Sequence, residues 1–172
     1  MNLVKMLGVA AFAALICTAV SPAQDKKIEM TRVKYDGLKQ EIVKHRGKVV
    51  IVDFWATWCP NCIKAFPTFV TMQEKYGNKG LVVISVSVDD VTDKDKVEKA
   101  NEILTKRKLP FRNLLLDEPT DFWPKKFETD SLPLYYVFDR NGKWVRFHPS
   151  QFKEDTLYVD LEKNVVQMLG EK

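Results

Sequence analysis

The chain has 172 residues, of which 45% are hydrophobic and 29% charged, and its formal net charge is +4. That length suits one ordinary domain able to bury a sizeable core, and the composition excludes a disordered chain. The 27 basic residues are scattered among 23 acidic ones, which excludes the concentrated basic stripe of a nucleic-acid binder.

Lys5 supplies a short positive segment, and the apolar run over residues 6–20 follows it. A membrane-spanning helix needs about twenty residues, so this run is too short to cross comfortably. Ser21 and Ala23 then offer small residues where a signal peptidase reads, and the expectation is a signal peptide over 1–23 with one domain over 24–172. The alternative is an uncleaved N-terminal membrane anchor. Lipidation at Cys17 is set aside because Ile16 before it is not small. Cleavage removes Cys17 and leaves Cys59 and Cys62 as the only cysteines. A single close pair is not a disulfide scaffold, so its chemistry is expected to be reactive.

Residues 24–28 are polar and read as a linker or frayed terminus. A short strand is expected over 29–34, then a helix over 35–45 carrying Leu38, Ile42 and His45 and broken by Gly47. Residues 48–55 (KVVIVDFW) form a β-branched and aromatic run, as in a strand buried on both faces. Residues 59–76 read as a helix with Pro67 inside it, which predicts a kink. A second buried strand is expected over 81–88. An amphipathic helix over 92–108 places Val97, Ala100 and Leu104 on one face, with Thr92 and Asp95 in a capping arrangement. A short strand over 112–116 precedes a small aromatic-rich helix or turn over 117–130. Strands over 134–138 and 143–147 flank Asn141-Gly142, a strong hairpin signal. A closing helix over 154–169 carries Leu157, Leu161, Val165 and Met168. Strands alternating with helices imply a mostly parallel, mixed sheet covered on both faces, the hairpin adding an antiparallel edge.

Reaction chemistry in such sheets sits at the carboxyl ends of the central strands. Cys59 follows such a strand, where the next helix begins. Unpaired backbone N–H groups and the helix dipole stabilise a thiolate there, lowering its pKa from about 8.5 toward neutrality. Cys59 is therefore expected to attack, and Cys62, one helical turn on, to resolve the mixed disulfide. A zinc knuckle would need two further ligands, and His45 and His148 are the only histidines in the chain. Covalent haem attachment would require His where Ile63 stands.

The stretch VDFWATWCPNCIKAFP, residues 52–67, resembles the active-site segment of thioredoxin-like proteins, and WATWCP resembles the exported TlpA- and ResA-like branch. The likeness covers most of the chain from about residue 48, including residues 81–89, the helix inserted after them, and SLPLYYVFDRNGK over 131–143. It implies a thioredoxin-like fold and a thiol–disulfide oxidoreductase whose cofactor is its own redox-active disulfide, with no metal. It also implies that the Leu132–Pro133 bond is cis, faces the cysteine pair and offers backbone groups to a substrate peptide.

Asp53 lies within a buried apolar strand, where a carboxylate must be paired or protonated. In thioredoxin-like proteins the matching Asp accepts the proton of the second Cys, whereas many TlpA-like members carry Asn there and a Glu at the place held here by Ala65. Asp53 is therefore the expected base for Cys62, with a structural Asp bonded to backbone or Lys as the alternative. Pro60-Asn61 between the cysteines departs from the Gly-Pro of reducing thioredoxins. The expected potential is somewhat less reducing than thioredoxin's, about −270 mV.

Trp58 is expected to form an exposed rim with Pro60 and Asn61, and Trp55 to lie in the core. Arg140, Lys143 and Arg146 read as solvated charges, and Tyr135, Tyr136, Phe122, Trp123 and Phe127 as core. Expected partners are exported protein thiols and disulfides and a membrane thiol carrier as electron donor, with no nucleic acid and a monomeric state. Two other classes remain: a peroxiredoxin-like thiol peroxidase, for which Thr would be expected where Ala56 stands, and a redox-inactive adaptor.

Overall fold

The run VVIVDFW becomes the central strand β2 (Val49–Trp55), with all seven residues buried. β-Branched and aromatic side chains suit a pleated surface covered on both sides. Parallel to it runs β3 (Leu81–Ser87) and antiparallel to it β5 (Leu134–Phe138). Beyond β3 lie β4 (Arg112–Leu116) and then β1 (Thr31–Val33), and beyond β5 lies β6 (Trp144–Phe147). The sheet order is β1-β4-β3-β2-β5-β6, with β5 and β6 forming the expected antiparallel edge. The computed structural model describes residues 27–151 and 156–170. The expected leader and cleavage site, and the first residues expected in the closing helix, lie outside those.

Alternation along β2 builds two half-cores. Val50, Val52 and Phe54 pack with Leu38 of α1 (Tyr35–Lys44) and with Trp123 and Phe127 of α4 (Phe122–Phe127). On the opposite face, Val49 and Ile51 meet Ala65, Phe69 and Met72 of α2 (Pro60–Tyr76). Trp55, at the end of that face, packs with Cys59, Cys62 and Phe66 and with Ala100 and Leu104 of α3 (Lys94–Lys106). Helix α5 (Leu157–Leu169) presents Leu157, Leu161, Val165 and Leu169 to the α2 side. This four-residue spacing makes one stripe, and each buried side chain contributes about 1.5–3 kcal/mol. Leu169, not Met168, closes the stripe; Met168 is half-buried beside it.

Other expectations change in detail. Helix α3 is capped by Asp93, whose carboxylate accepts from the Lys96 N–H at 3.1 Å, while Thr92 bonds to Asp90 instead. The segment expected to fray is tied down at its described end, where the Ile28 N–H donates to Thr105 of α3, and just beyond it the Met30 N–H donates to Asn101. The hairpin turns through residues 139–143. Asp139 N–H donates to Lys143 O, Gly142 N–H donates to Asp139 O, and Gly142 takes φ +80°, the left-handed geometry glycine tolerates. Arg140 is no free surface charge. It donates to the carbonyls of Gly47, Lys79 and Leu169, joining three segments.

Candidate active site

Strand β2 ends at Trp55, and the chain turns through residues 56–58 into α2. Cys59 is the N-cap of that helix, and its Sγ accepts from the Cys62 N–H at 3.2 Å. Pro60 occupies the first helical turn, where its missing N–H costs nothing. Cys59 and Cys62 are joined by a disulfide with Cα atoms 5.4 Å apart. The two cysteines differ slightly in access: Cys59 is 5% exposed and Cys62 fully buried.

The turn is held by a group that motif reasoning passed over. Asp89, just beyond β3 and buried, accepts from the Thr57 N–H at 2.9 Å, the Thr57 hydroxyl at 2.8 Å and the Ser87 hydroxyl at 2.9 Å. Trp55 Nε1 donates to Ser85 Oγ at 2.8 Å, and Val88 N–H donates to Trp55 O. The signal was present in the polar positions 85, 87 and 89 alternating through an apolar strand. These place polar groups on the face that carries Asp53 and Trp55.

Because β5 runs antiparallel to β2, its first residues lie at the cysteine end of the sheet; Leu134 pairs with Phe54. The Leu132–Pro133 peptide bond just before β5 is cis. Leu132 packs against the cluster of Trp55, Cys59, Cys62 and Phe66, so this loop adjoins the disulfide. His148, weighed from the sequence only as a zinc ligand, buttresses the loop from just beyond β6. Its Nδ1 accepts from the Ser150 N–H, which leaves the proton on Nε2 to face Ser131 O at 3.2 Å and Ser131 Oγ at 3.0 Å. Burial is the main influence lowering its pKa.

Asp53 is fully buried between Ser85 of β3 and Tyr135 of β5. Neither carboxylate oxygen has a hydrogen-bond partner among the described residues, contrary to the expected alternative of an Asp bonded to backbone or Lys. Burial pushes its pKa well above the ordinary carboxylate range. Strand alternation sets it on the α2 face, between Trp55, which packs on the cysteines, and Ile51, which packs near Ala65. Ala65 is buried and supplies no carboxylate.

Trp58, Pro60 and Asn61 are all exposed around Cys59, with the Trp58 ring 6.4 Å from that of Trp123. Trp55 is fully buried. Tyr135, Trp123 and Phe127 are core residues, while Tyr136 and Phe122 are only half-buried. The zinc arrangement is not assembled: the two sulfurs are bonded to each other, His148 is engaged in the Ser131 loop, and His45 ends α1 beside Glu41.

A buried sheet whose central strand delivers a Cys-x-x-Cys disulfide to a helix N-terminus, beside a cis-proline loop, defines a thiol–disulfide oxidoreductase of thioredoxin-like fold. The chain belongs to the AhpC/TSA family, whose model matches residues 22–147. It is 28% identical over 130 residues to the thiol-disulfide oxidoreductase ResA of Bacillus thuringiensis subsp. konkukian, covering 74% of this chain and 70% of that protein. A shorter match, 47% identical over 47 residues, links it to a thioredoxin of Coprinus comatus, covering 27% of this chain and 44% of the thioredoxin. Among solved structures it resembles a thiol:disulfide interchange protein DsbE from Chlorobium tepidum, at TM-score 0.55 and 28% identity over 84% of this chain and 96% of that one.

Proposed function

We propose that the protein exchanges electrons with exported protein thiols through Cys59 and Cys62. The observation that carries this reading is the asymmetry of the pair: a helix-capping cysteine that keeps a little exposure, beneath the exposed Trp58, Pro60 and Asn61, joined to a fully buried one a turn further on. In the reduced protein, the Cys62 N–H and the α2 dipole favour a Cys59 thiolate. That thiolate attacks a sulfur of a substrate disulfide, expelling the other as a thiolate and leaving a mixed disulfide on Cys59. Asp53 first releases its own proton to solvent; Cys62 then loses its proton to the Asp53 carboxylate and attacks Cys59 Sγ. The intramolecular disulfide forms and the second substrate thiolate departs. The substrate gains two electrons and the protein pair loses them.

Leu132 and Pro133 present backbone to the extended substrate beside the pair, and Trp58, Pro60 and Asn61 supply the exposed rim it crosses. Asp53 suits this proton transfer because burial raises its pKa, which makes its carboxylate form a stronger base than an ordinary carboxylate, and neither oxygen has a competing partner among the described residues. The reading further includes export directed by residues 1–23, a membrane thiol carrier that returns electrons to the pair, a monomeric protein, and no cofactor beyond the disulfide. Insulin reduction in the presence of dithiothreitol tests the activity, with hydrogen peroxide turnover in parallel. Fast insulin reduction with slow peroxide turnover supports it. Fast peroxide turnover without insulin reduction replaces it with the thiol-peroxidase reading.

A further inference from the structure

The sheet face opposite α2 carries an open groove of about 600 Å³, within the range of small-molecule sites. It exists because α4 is only six residues long and leaves the outer part of that face uncovered. Strand register orders its floor. Val52, Tyr136 and Arg146 lie in one cross-strand row, and Val50, Phe138 and Trp144 in the next. Leu38, Ile42 and Val43 of α1 make the apolar wall. Tyr136 sits centrally, its ring 5.1 Å from Trp144 and 5.9 Å from Phe127, and Trp144 is 57% exposed.

The rim is unequal in charge. Lys39, Arg46, Lys48, Lys126 and Arg146 line it against Glu128 and Asp139. Asp139 is committed to the hairpin, accepting from the Asn141 and Lys143 N–H groups. Lys39 pairs with Asp36, Arg46 donates to Asn141 O, and Lys126 lies over the Tyr35 ring. Arg146 differs in burial. Expected as a solvated charge, it is half-buried, and its Nε is buried with no hydrogen-bond partner among the described residues. That Nε is sealed from solvent, so the rest of the half-buried guanidinium is what meets the groove, and a carboxylate is its geometric complement.

The geometry points to a second binding site, separate from the redox pair, for a soluble amphipathic monocarboxylate. Its carboxylate accepts from Arg146 beside the Tyr136 ring, and its hydrocarbon body lies over Val50, Val52, Phe138 and Trp144 toward α1. Two properties distinguish this ligand from a general hydrophobe: the half-buried guanidinium on the floor and the net positive rim, which together reject a cationic head group of equal length.

The test is titration of the purified oxidised protein with dodecanoate below its micellar concentration, read by backbone amide shifts. Dodecyltrimethylammonium and phosphatidylglycerol vesicles serve as comparisons. Saturable shifts confined to α1, β5 and β6 for dodecanoate, absent for the cation, are expected. Arg146→Met should weaken binding roughly tenfold or more while leaving insulin reduction and thermal stability unchanged or the latter raised. Trp144→Ala, at an exposed position, should weaken binding without altering the fold. Equal binding of both amphiphiles, no effect of Arg146→Met, or binding only to vesicles would overturn the assignment.

Discussion

Asp53 gives the sharpest energetic prediction. In the native protein it is fully buried with neither oxygen paired among the described residues, and burial pushes its pKa well above the ordinary value. In the unfolded chain the same group ionises near pH ~3.9. Between those two values the native state holds one more proton than the unfolded state, so stability falls as pH rises. For a single group the slope is about 1.4 kcal/mol per pH unit. Below the unfolded value the contribution is constant, and above the raised native value the loss is complete. Asn is nearly isosteric and does not titrate. The stability of Asp53→Asn relative to wild type should therefore stay level below about pH 4 and then climb by about 1.4 kcal/mol per unit. Urea unfolding of the two oxidised proteins at closely spaced pH values measures the difference. Parallel profiles across that window would refute the reasoning, because they would mean that Asp53 is charged and solvated in the native state.

Three further expectations rest on the same geometry. Trp58→Ala removes an exposed ring and should change stability by less than about 0.5 kcal/mol, while lowering kcat/KM for protein disulfides more than for dithiothreitol oxidation. Asp89→Ala leaves the buried Thr57 N–H and two hydroxyls without their acceptor, costing about 2–3 kcal/mol in denaturant unfolding and slowing insulin reduction. His148 has its pKa lowered chiefly by burial, with the Ser131 backbone hydrogen bond and then Asp130 opposing and Arg146 reinforcing that shift. Native stability attributable to it is thus present above about pH 6.5 and is lost as pH falls through the lower native value. His148→Gln should flatten the stability profile on the acid side of that pH, and an unchanged slope would count against the buried neutral ring.

The central elements were readable because their side chains answer to short-range rules. Residues 49–55 and 81–87 are β-branched runs whose burial on both faces leaves few other conformations. The cysteine pair falls where a buried strand meets a helix, so its place at the carboxyl edge followed from order alone. What escaped prediction depends on contacts between distant segments. Arg140 reads as a surface charge until the turns before β2 and before β3 and the end of α5 bring three carbonyls to it. His148 looks isolated until the hairpin returns it to Ser131. Asp89 sits in an acidic pair after a strand, and only the pairing of β2 with β3 shows that it, and not Asp90, holds the cysteine turn. The cap of α3 was misplaced by one residue because Thr92 and Asp93 both carry capping side chains, and local geometry chose between them.

The most direct test of the account is covalent trapping. Reduced Cys62→Ser and Cys59→Ser proteins are incubated with a protein disulfide substrate and analysed by intact mass without reductant. Cys62→Ser should accumulate a mixed disulfide on Cys59, because the attacking sulfur remains and the resolving one is gone. Cys59→Ser should form little adduct, because the buried Cys62 does not reach the substrate. Adduct formation chiefly on Cys62, or none on either variant, would contradict the assignment of Cys59 as the sulfur that meets the substrate.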